Sequence, residues 1–282
     1  MKKYFSLVLF AHSVFALPFA VIGFFLAVET TSYGFDWVKL LLMVACMILA
    51  RNAAMAFNRY LDRNIDAANP RTATRDIPAG RISSRQALWF TAINSLLFIA
   101  VTAFINRICL YLSPVALAVI LGYSYTKRFT PLCHLILGVG LGLAPLGAYL
   151  VVTGTFHILP VLYSLAVTCW VAGFDIIYAL QDEEFDRANG LNSIPAWLGR
   201  QKALRVSEAL HVLSAGFILL PMAFIPLGWC YVFGVITYCG LLVYQHRLVS
   251  PDDLSRVDRA FMTTNGVASV IFAFFFLLDL IV

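Results

Sequence analysis

Nine long apolar stretches constrain the fold of this chain more than any other feature. A membrane-spanning helix needs about 20 mostly apolar residues. The qualifying stretches lie at about 5–28, 37–60, 87–106, 108–126, 132–153, 158–181, 203–223, 227–246 and 260–281. Hydrophobic residues make up 61% of the 282 residues and charged residues only 12%, whereas soluble domains are about a quarter charged. The sequence therefore predicts an all-α membrane protein with nine transmembrane helices, and it excludes a soluble enzyme, a disordered chain and a nucleic-acid-binding protein.

The basic residues support this count of spans. With nine spans and a cytoplasmic N-terminus, all but two of the 20 Lys and Arg residues fall on the cytoplasmic side, the exceptions being Lys39 and Arg107. An excess of Lys and Arg marks cytoplasmic loops, and a miscounted helix would scramble this alternation. We therefore expect a multi-pass protein of a bacterial-type inner or plasma membrane, with its C-terminus on the opposite side.

Acidic residues repeat along the chain. Asp62 and Asp66 are four residues apart, Asp182 and Asp186 are four residues apart, and the two pairs are offset by 120 residues. Each pair follows an even-numbered span. This pattern predicts a single transmembrane domain over residues 1–282, built from pseudo-repeats of about 1–131 and 132–246 and a ninth helix at about 260–281. The two acidic clusters should then face each other at the cytoplasmic side, where the site opens.

Helical spacing extends each acidic cluster into a polar face. Arg51 and Asn58 share a helix face with Asp62, and Asp175 and Tyr178 share one with Asp182. An ionisable side chain at membrane depth costs at least about 2.5 kcal/mol by insertion scales. Such residues are expected to face a partner, water or a bound ion.

Facing carboxylates repel one another, so a cation should lie between the two clusters. Carboxylate oxygens suit Mg²⁺, which commonly bridges the phosphates of a substrate. Guanidinium and ammonium groups near the same face add anion-binding capacity. These are Arg63, Arg71, Arg75, Lys127 and Arg128. Together, the acids and bases predict a magnesium-assisted diphosphate site.

These residues also form motifs that resemble those of a known family. Asn58-xxx-Asp62-xxx-Asp66 and Asp175-xx-Tyr178-xxx-Asp182-xxx-Asp186 are similar to the two signature motifs of the UbiA superfamily of intramembrane prenyltransferases. Further matches are Arg71-Thr-Ala-Thr-Arg75-Asp-Ile-Pro78-Ala-Gly80, Tyr123-Ser-Tyr-Thr-Lys127-Arg128 and Asn265-Gly266. The resemblance covers essentially the whole chain and points to the 4-hydroxybenzoate polyprenyltransferase branch. Arg59 and Asp76 depart from the pattern, since many members have Asp and Pro there, which suggests a subgroup with a different acceptor.

The resemblance implies a Mg²⁺-dependent transfer of a polyprenyl group from polyprenyl diphosphate to an aromatic carboxylic acid. The implied metal ligands are Asp62, Asp66, Asp182 and Asp186. The implied substrate-binding residues are Arg51, Asn58, Arg75, Tyr123, Lys127, Arg128, Asp175 and Tyr178. Asp62, Asp182 and Arg128 are the implied catalytic residues.

Three interpretations remain open at this stage. 4-Hydroxybenzoate as the acceptor implies ubiquinone biosynthesis, and a dihydroxynaphthoate implies menaquinone biosynthesis. The third is a secondary transporter, because repeats and intramembrane charges also occur in that class. A transporter is expected to carry charge near the bilayer centre, whereas here the charge is dense at one face, which favours the enzyme.

One motif has a packing interpretation. Gly138-x-Gly140-x-Gly142 lies within the fifth apolar stretch. A dinucleotide-binding fingerprint needs a strand-to-helix turn and a different glycine spacing. We expect these small residues to allow close packing of two helices.

Overall fold

The computed structural model describes residues 15–282 as a bundle of helices. The helices are α1 Leu17–Thr30, α2 Trp37–Leu61, α3 Arg63–Ala68, α4 Ser84–Ala103, α5 Arg107–Thr126, α6 Cys133–Thr153, α7 Ile158–Ala179, α8 Glu183–Ala188, α9 Ile194–Leu198, α10 Arg200–Leu219, α11 Trp229–Arg247 and α12 Asn265–Ile281. Short helical turns continue α7 and α10 and precede α12, at Leu180–Asp182, Leu220–Ala223 and Arg259–Thr264.

Each predicted apolar stretch coincides with one long helix to within a few residues, although residues 5–14 of the first stretch lie outside the described residues. Within residues 15–282, seven helices are long and apolar enough to cross a membrane. The other two are α1, with 14 described residues, and α11, which ends in the polar sequence Gln245-His246-Arg247. The chain is therefore a multi-pass membrane protein, and the full count of nine crossings stays a prediction.

A capping residue explains the break between α4 and α5. The Asn106 side chain accepts a hydrogen bond from the Cys109 amide at 2.9 Å, which satisfies a free amide at the start of α5. Its Nδ2 donates to the Leu150 carbonyl near the end of α6 at 2.8 Å. One side chain thus begins α5 and attaches it to α6.

Helix α7 lies at the centre of the bundle. In its most apolar segment 67% of the residues are buried inside the protein, whereas in that of α2 only 22% are buried. Glycines let α6 approach it closely, since a Cβ at Gly138 would lie 2.3 Å from the Thr168 carbonyl oxygen and one at Gly142 would lie 2.5 Å from Thr168 Oγ1. A Cβ at Gly140 would meet open space. The packing prediction is confirmed for Gly138 and Gly142 and wrong for Gly140, which is on the other face of the helix.

Both helices that carry the acidic pairs break at the first acid of the pair. Asp62 separates α2 from α3 with φ −86° and ψ 3°, and Asp182 precedes α8 with φ −101° and ψ 2°. Both conformations belong to the sparsely populated bridge region. Asp66 and Asp186 consequently lie on separate short helices. In both halves the chain therefore changes direction between the first and the second acid of the pair.

Candidate active site

A cavity of about 210 Å³ lies among the C-terminal ends of α2, α5 and α7. The predicted site residues in its wall are Asn58, Asp62, Asp66, Arg75, Tyr123, Lys127, Asp175, Tyr178, Asp182 and Asp186. Residues from both halves of the chain therefore surround one space, as the repeated acidic pairs predict. Of the other predicted residues, Arg128 reaches this wall through a hydrogen bond, and Arg51 does not line it.

The acids of the first half are held by arginines. Arg128 Nη2 donates to Asp62 Oδ1 at 2.9 Å, and Arg75 Nη1 donates to Asp66 Oδ1 at 2.6 Å. Asn58 Nδ2 donates to the other oxygen of Asp62 at 3.1 Å. Arg128 also donates to the Leu61 carbonyl at 3.1 Å. Because Arg128 follows α5, this contact joins the end of α5 to the end of α2 and fixes the position of Asp62.

The loop after α3 contacts Asp182, the first acid of the pair in the second half. Arg71 binds both carboxylate oxygens of Asp182, with a 2.9 Å contact from Nε to Oδ1 and a second contact from Nη2 to Oδ2. Asn69 Nδ2 donates to the same Oδ1 at 2.9 Å. The two halves are therefore tied together directly at the cavity by residues of the first half and an acid of the second.

Arg71 also positions an aromatic ring in the cavity wall. Its Nη1 donates to the Tyr178 hydroxyl at 2.8 Å. The Tyr178 ring stacks on Phe261, with the ring centroids 4.3 Å apart and the planes inclined by 29°. The hydroxyl and the ring of Tyr178 are thus fixed by two independent contacts.

Burial and neighbouring charges shift the pKa values of two residues beside the cavity, Asp66 and Arg71. Burial raises the pKa of Asp66, although the charges of Arg75 and Arg59 lower it. For Arg71, burial lowers the pKa, but the hydrogen bonds and charge of Asp182 dominate and raise it above its usual value. Asp66 Oδ2 is buried and makes no hydrogen bond within the described part of the chain. A buried acceptor without a partner is costly, and a cation would satisfy it.

The acids are not gathered into a ready metal site. Within residues 15–282, no three Asp, Glu, His or Cys side chains lie close enough together to hold a metal ion. Like charges repel, and Asp62, Asp66 and Asp182 each pair with an arginine instead. The carboxylate groups nevertheless suit Mg²⁺, because carboxylate oxygens from both halves line one cavity and Asp66 Oδ2 has no hydrogen-bond donor among residues 15–282. The predicted metal ligands therefore fit the ion, and their role stays a prediction.

Arg51 lies deeper in the bundle than the cavity. Arg51 lies about two turns before Asn58 on the same face of α2, which is about 10 Å along the helix axis. Its charge interacts with Tyr123, which does line the cavity. The structure thus places Arg51 behind the wall of the cavity.

Sequence reasoning missed several residues of this wall. Asn69, Ser124, His134 and Ser193 have no role in the predicted site, yet all line the cavity. Arg71 was predicted as one of the basic residues near the diphosphate site, but its contacts with Asp182 and Tyr178 were not predicted. Polar residues in loops and single residues in apolar helices give no periodic signal, so only the folded chain brings them to the site.

The departure at Asp76 has a structural explanation. Arg81 Nε donates to Asp76 Oδ1 at 2.7 Å, and Arg81 Nη2 donates to the Thr74 carbonyl at 2.6 Å. Asp76 therefore folds the loop between α3 and α4. It does not line the cavity, which weakens the suggestion that this departure marks a different acceptor.

Comparisons with known proteins agree with this fold. The UbiA prenyltransferase family matches residues 16–276. The 4-hydroxybenzoate octaprenyltransferase of Aeromonas hydrophila is 31% identical over 238 residues, covering 84% of this chain and 83% of the relative. The apo structure of a UbiA homolog from Aeropyrum pernix K1 is 34% identical, with a TM-score of 0.86 over 95% of this chain and 98% of that one.

A third comparison supports the fold alone. A UbiA homolog from Archaeoglobus fulgidus, bound to DMAPP and Mg²⁺, has a TM-score of 0.78 at 20% identity, over 99% of each chain. The helical bundle and its cavity of paired acids and bases define an intramembrane transferase. This chain belongs to the UbiA prenyltransferase family. Membership of a family of enzymes decides against the transporter interpretation.

Proposed function

We propose that this prenyltransferase joins a polyprenyl group from polyprenyl diphosphate to the ring of an aromatic carboxylic acid in the biosynthesis of a respiratory quinone. The first candidate acceptor is 4-hydroxybenzoate, the substrate named in the Aeromonas relative. The observation that carries the proposal is that acids of both halves and bases of the first half line one cavity. One side of such a cavity suits a diphosphate and its metal, and the other suits an aromatic ring.

The basic residues bind the donor in this proposal. Arg75, Lys127 and Tyr123 contact the diphosphate oxygens from the cavity wall, and Arg128 fixes Asp62 from behind. Asp62, Asp66, Asp182 and Asp186 would hold Mg²⁺, with Asn58 assisting. When bound, Mg²⁺ neutralises the charge that develops on the leaving diphosphate. The unsatisfied Asp66 Oδ2 and the Mg²⁺ in the Archaeoglobus homolog support this assignment.

The acceptor needs no covalent enzyme intermediate. As the allylic C–O bond breaks, the ring carbon ortho to the hydroxyl attacks the allylic carbon, and loss of the ring proton restores aromaticity. Asp175 and Tyr178 orient or polarise the phenolic hydroxyl, and both line the cavity. Arg51 pairs with the carboxylate of the acceptor if the acceptor reaches past Tyr123.

A dihydroxynaphthoate is the second candidate acceptor. Arg59, the other departure from the family pattern, interacts electrostatically with Asp66, Tyr123 and Tyr178, all of which line the cavity. Arg59 thus places a different charge beside these residues than the Asp of many family members would. This difference supports the suggestion of a subgroup with a different acceptor. Both candidates carry a carboxylate and at least one phenolic hydroxyl, so Arg51 does not separate them.

The topology belongs to the same proposal. We infer nine crossings, with the N-terminus in the cytoplasm and the cavity open to the cytoplasmic side. Lys39 and Arg107 lie in the first turns of α2 and α5, at the helix ends opposite to the cavity. The remaining basic residues of residues 15–282 lie on the cavity side in this arrangement. The matched breaks at Asp62 and Asp182 support pseudo-repeats of about 1–131 and 132–246.

The test is a transfer assay with the purified protein in detergent, Mg²⁺ and a radiolabelled polyprenyl diphosphate. 4-Hydroxybenzoate and a dihydroxynaphthoate are offered separately, each with and without EDTA. Product with the benzoate alone supports the first candidate, and product with the naphthoate alone supports the second. Product that persists in EDTA contradicts the metal assignment. No product with either acceptor contradicts the proposed acceptor class and leaves the family membership standing.

A further inference from the structure

A buried histidine touches Asp175, which, like Asp186, lines the cavity without an arginine partner in the described part of the chain. His134, on α6, is 3% exposed, and its Nδ1 lies 2.7 Å from Asp175 Oδ2 on α7. The Asp175 side chain is 23% exposed, and both residues line the cavity. The proposed function gives Asp175 a role at the acceptor and gives His134 none.

The second ring nitrogen of His134 determines where the proton lies. The backbone amide of Ile194 donates to Nε2 at 3.3 Å. Ile194 is the first residue of α9, where backbone amides have no partner within the helix. Because Nε2 accepts this hydrogen bond, Nδ1 carries the ring proton and donates it to Asp175. The histidine therefore acts as a fixed donor between a helix start and a carboxylate.

Another buried histidine shows the contrast. His211, on α10, is also 3% exposed, but its ring nitrogens contact the Trp170 carbonyl at 3.2 Å and His246 at 2.8 Å. Neither it nor His246 lines the cavity. His211 joins helices, whereas His134 ends on an acid that faces the substrate space.

We propose that His134 is a positioning residue for the acceptor. It holds one oxygen of Asp175, so that the other oxygen receives the hydrogen bond of the phenolic hydroxyl of the acceptor. This inference rests on the proposed function, because it assumes an aromatic acceptor with a hydroxyl group beside Asp175. A misplacement of about 1 Å in such an arrangement can lower a rate about 10²-fold.

The test compares His134→Leu, His134→Gln, Asp175→Asn and the double variant H134L/D175N in the transfer assay. Glutamine has an N–H group for Asp175 and an oxygen for the Ile194 amide, whereas leucine has neither. We expect H134L to lower kcat/KM for the acceptor about 10²-fold, with the KM for polyprenyl diphosphate unchanged. We expect H134Q to restore most of this loss, and the double variant to be no worse than the poorer single variant.

His211→Leu is the matched control, because it also removes a buried histidine with two polar contacts. It should lower the melting temperature in detergent and leave the ratio of the two KM values unchanged. Our inference is wrong if H134Q is as impaired as H134L, if the losses of the single variants multiply in the double variant, or if H134L raises both KM values together.

A spectroscopic measurement separates this inference from the proposed function. In protein labelled with ¹⁵N-histidine, the ¹⁵N shifts report which ring nitrogen carries the proton, whether or not the protein makes product. A neutral His134 with its proton on Nδ1 supports the inference, and a proton on Nε2 overturns it. An inactive wild-type protein with the expected tautomer would contradict the proposed acceptors and leave the His134–Asp175 pair intact.

Discussion

The two acidic segments of the chain agree at both acids of the repeated pair and differ at the earlier positions of the same helix faces. At the 120-residue offset, Asp62 corresponds to Asp182 and Asp66 to Asp186, and the helix breaks at the first acid in both. The other pairs in register are Asn58 with Tyr178, Met55 with Asp175, and Arg51 with Val171. The positions that match are the acids expected to share a metal-bound diphosphate.

The positions that differ are specialised. Asp175 and Tyr178 give the second half a carboxylate and a phenol at the cavity, where the first half has Met55 and Asn58. Helix α7, which carries them, is also far more buried than α2. We infer that the acids of the two halves share the metal-bound diphosphate and that Asp175 and Tyr178 of the second half orient the phenolic hydroxyl of the acceptor. A diphosphate with its metal is nearly symmetric, whereas an aromatic acid has two different ends.

The largest expected effect tests the equality of the halves. Asp62→Ala and Asp182→Ala should each lower kcat by about 10³-fold, since each removes a proposed ligand of the Mg²⁺ that would neutralise the leaving diphosphate. The matched control is Asp253→Ala, which removes an exposed acid of a loop away from the cavity and should leave kcat unchanged. Full activity in both cavity variants would contradict the diphosphate site, and a large loss in only one would contradict its symmetry.

Hydropathy predicted the fold well because the bilayer imposes one length on every span. The seven long helices begin and end within a few residues of the predicted stretches. The predicted stretches end at about 60 and 181, just before Asp62 and Asp182. The short helices α3 and α8 that follow these acids were not predicted, since a single bridge-region residue leaves no compositional mark.

The site was predictable where it repeats and hidden where it does not. Asp62, Asp66, Asp182 and Asp186 stand out because their spacing recurs, and the structure brings all of them to one cavity. His134 occurs once in an apolar helix, and Asn69 lies in a loop, so neither has a periodic signal. Their contacts with Asp175 and Asp182 join residues 41 and 113 positions apart, and only the folded chain shows them.

The next prediction concerns the link between the halves. Arg71→Ala removes the hydrogen bonds to Asp182 and Tyr178. A hydrogen bond to a charged group contributes about 1.5–3 kcal/mol, so the KM for polyprenyl diphosphate should rise about 10- to 100-fold. Proteolysis between α3 and α4 should become faster, because the loop loses its contact with the second half.

Arg81→Ala is the matched control in the same loop. Arg81 pairs with Asp76, and its side chain is 54% exposed. Such a pair contributes at most about 1 kcal/mol, so the KM for the diphosphate should stay at the wild-type value. If both arginine variants raise this KM equally, the increase is caused by a change in the folding of the loop. The contacts of Arg71 with the second half would then have no specific role in binding the diphosphate.

A smaller effect is expected on stability at the seam between α6 and α7. Gly138→Ala places a methyl group against the Thr168 backbone, whereas Gly140→Ala places one in open space. Overpacking costs about 1–3 kcal/mol, so G138A should lower the melting temperature in detergent and G140A should not. Equal melting temperatures would show that α7 can shift, and that the site on it is less rigid than its burial suggests.

The smallest effect distinguishes the halves most directly. Tyr178→Phe keeps the ring stacked on Phe261 and loses the hydroxyl that Arg71 contacts at 2.8 Å. The loss of a single hydrogen bond of about 1 kcal/mol lowers a rate about fivefold, and we expect this loss in kcat/KM for the acceptor. Asn58→Ala, at the corresponding position of the first half, removes the 3.1 Å contact with Asp62 and should change the KM for the diphosphate instead. Tyr163→Phe on the same helix removes a hydroxyl that meets Tyr231 away from the cavity and should change neither value. If the Tyr178 and Asn58 variants change the kinetic constants for the same substrate, the two halves are not specialised. The repeat is then symmetric in function as well as in structure.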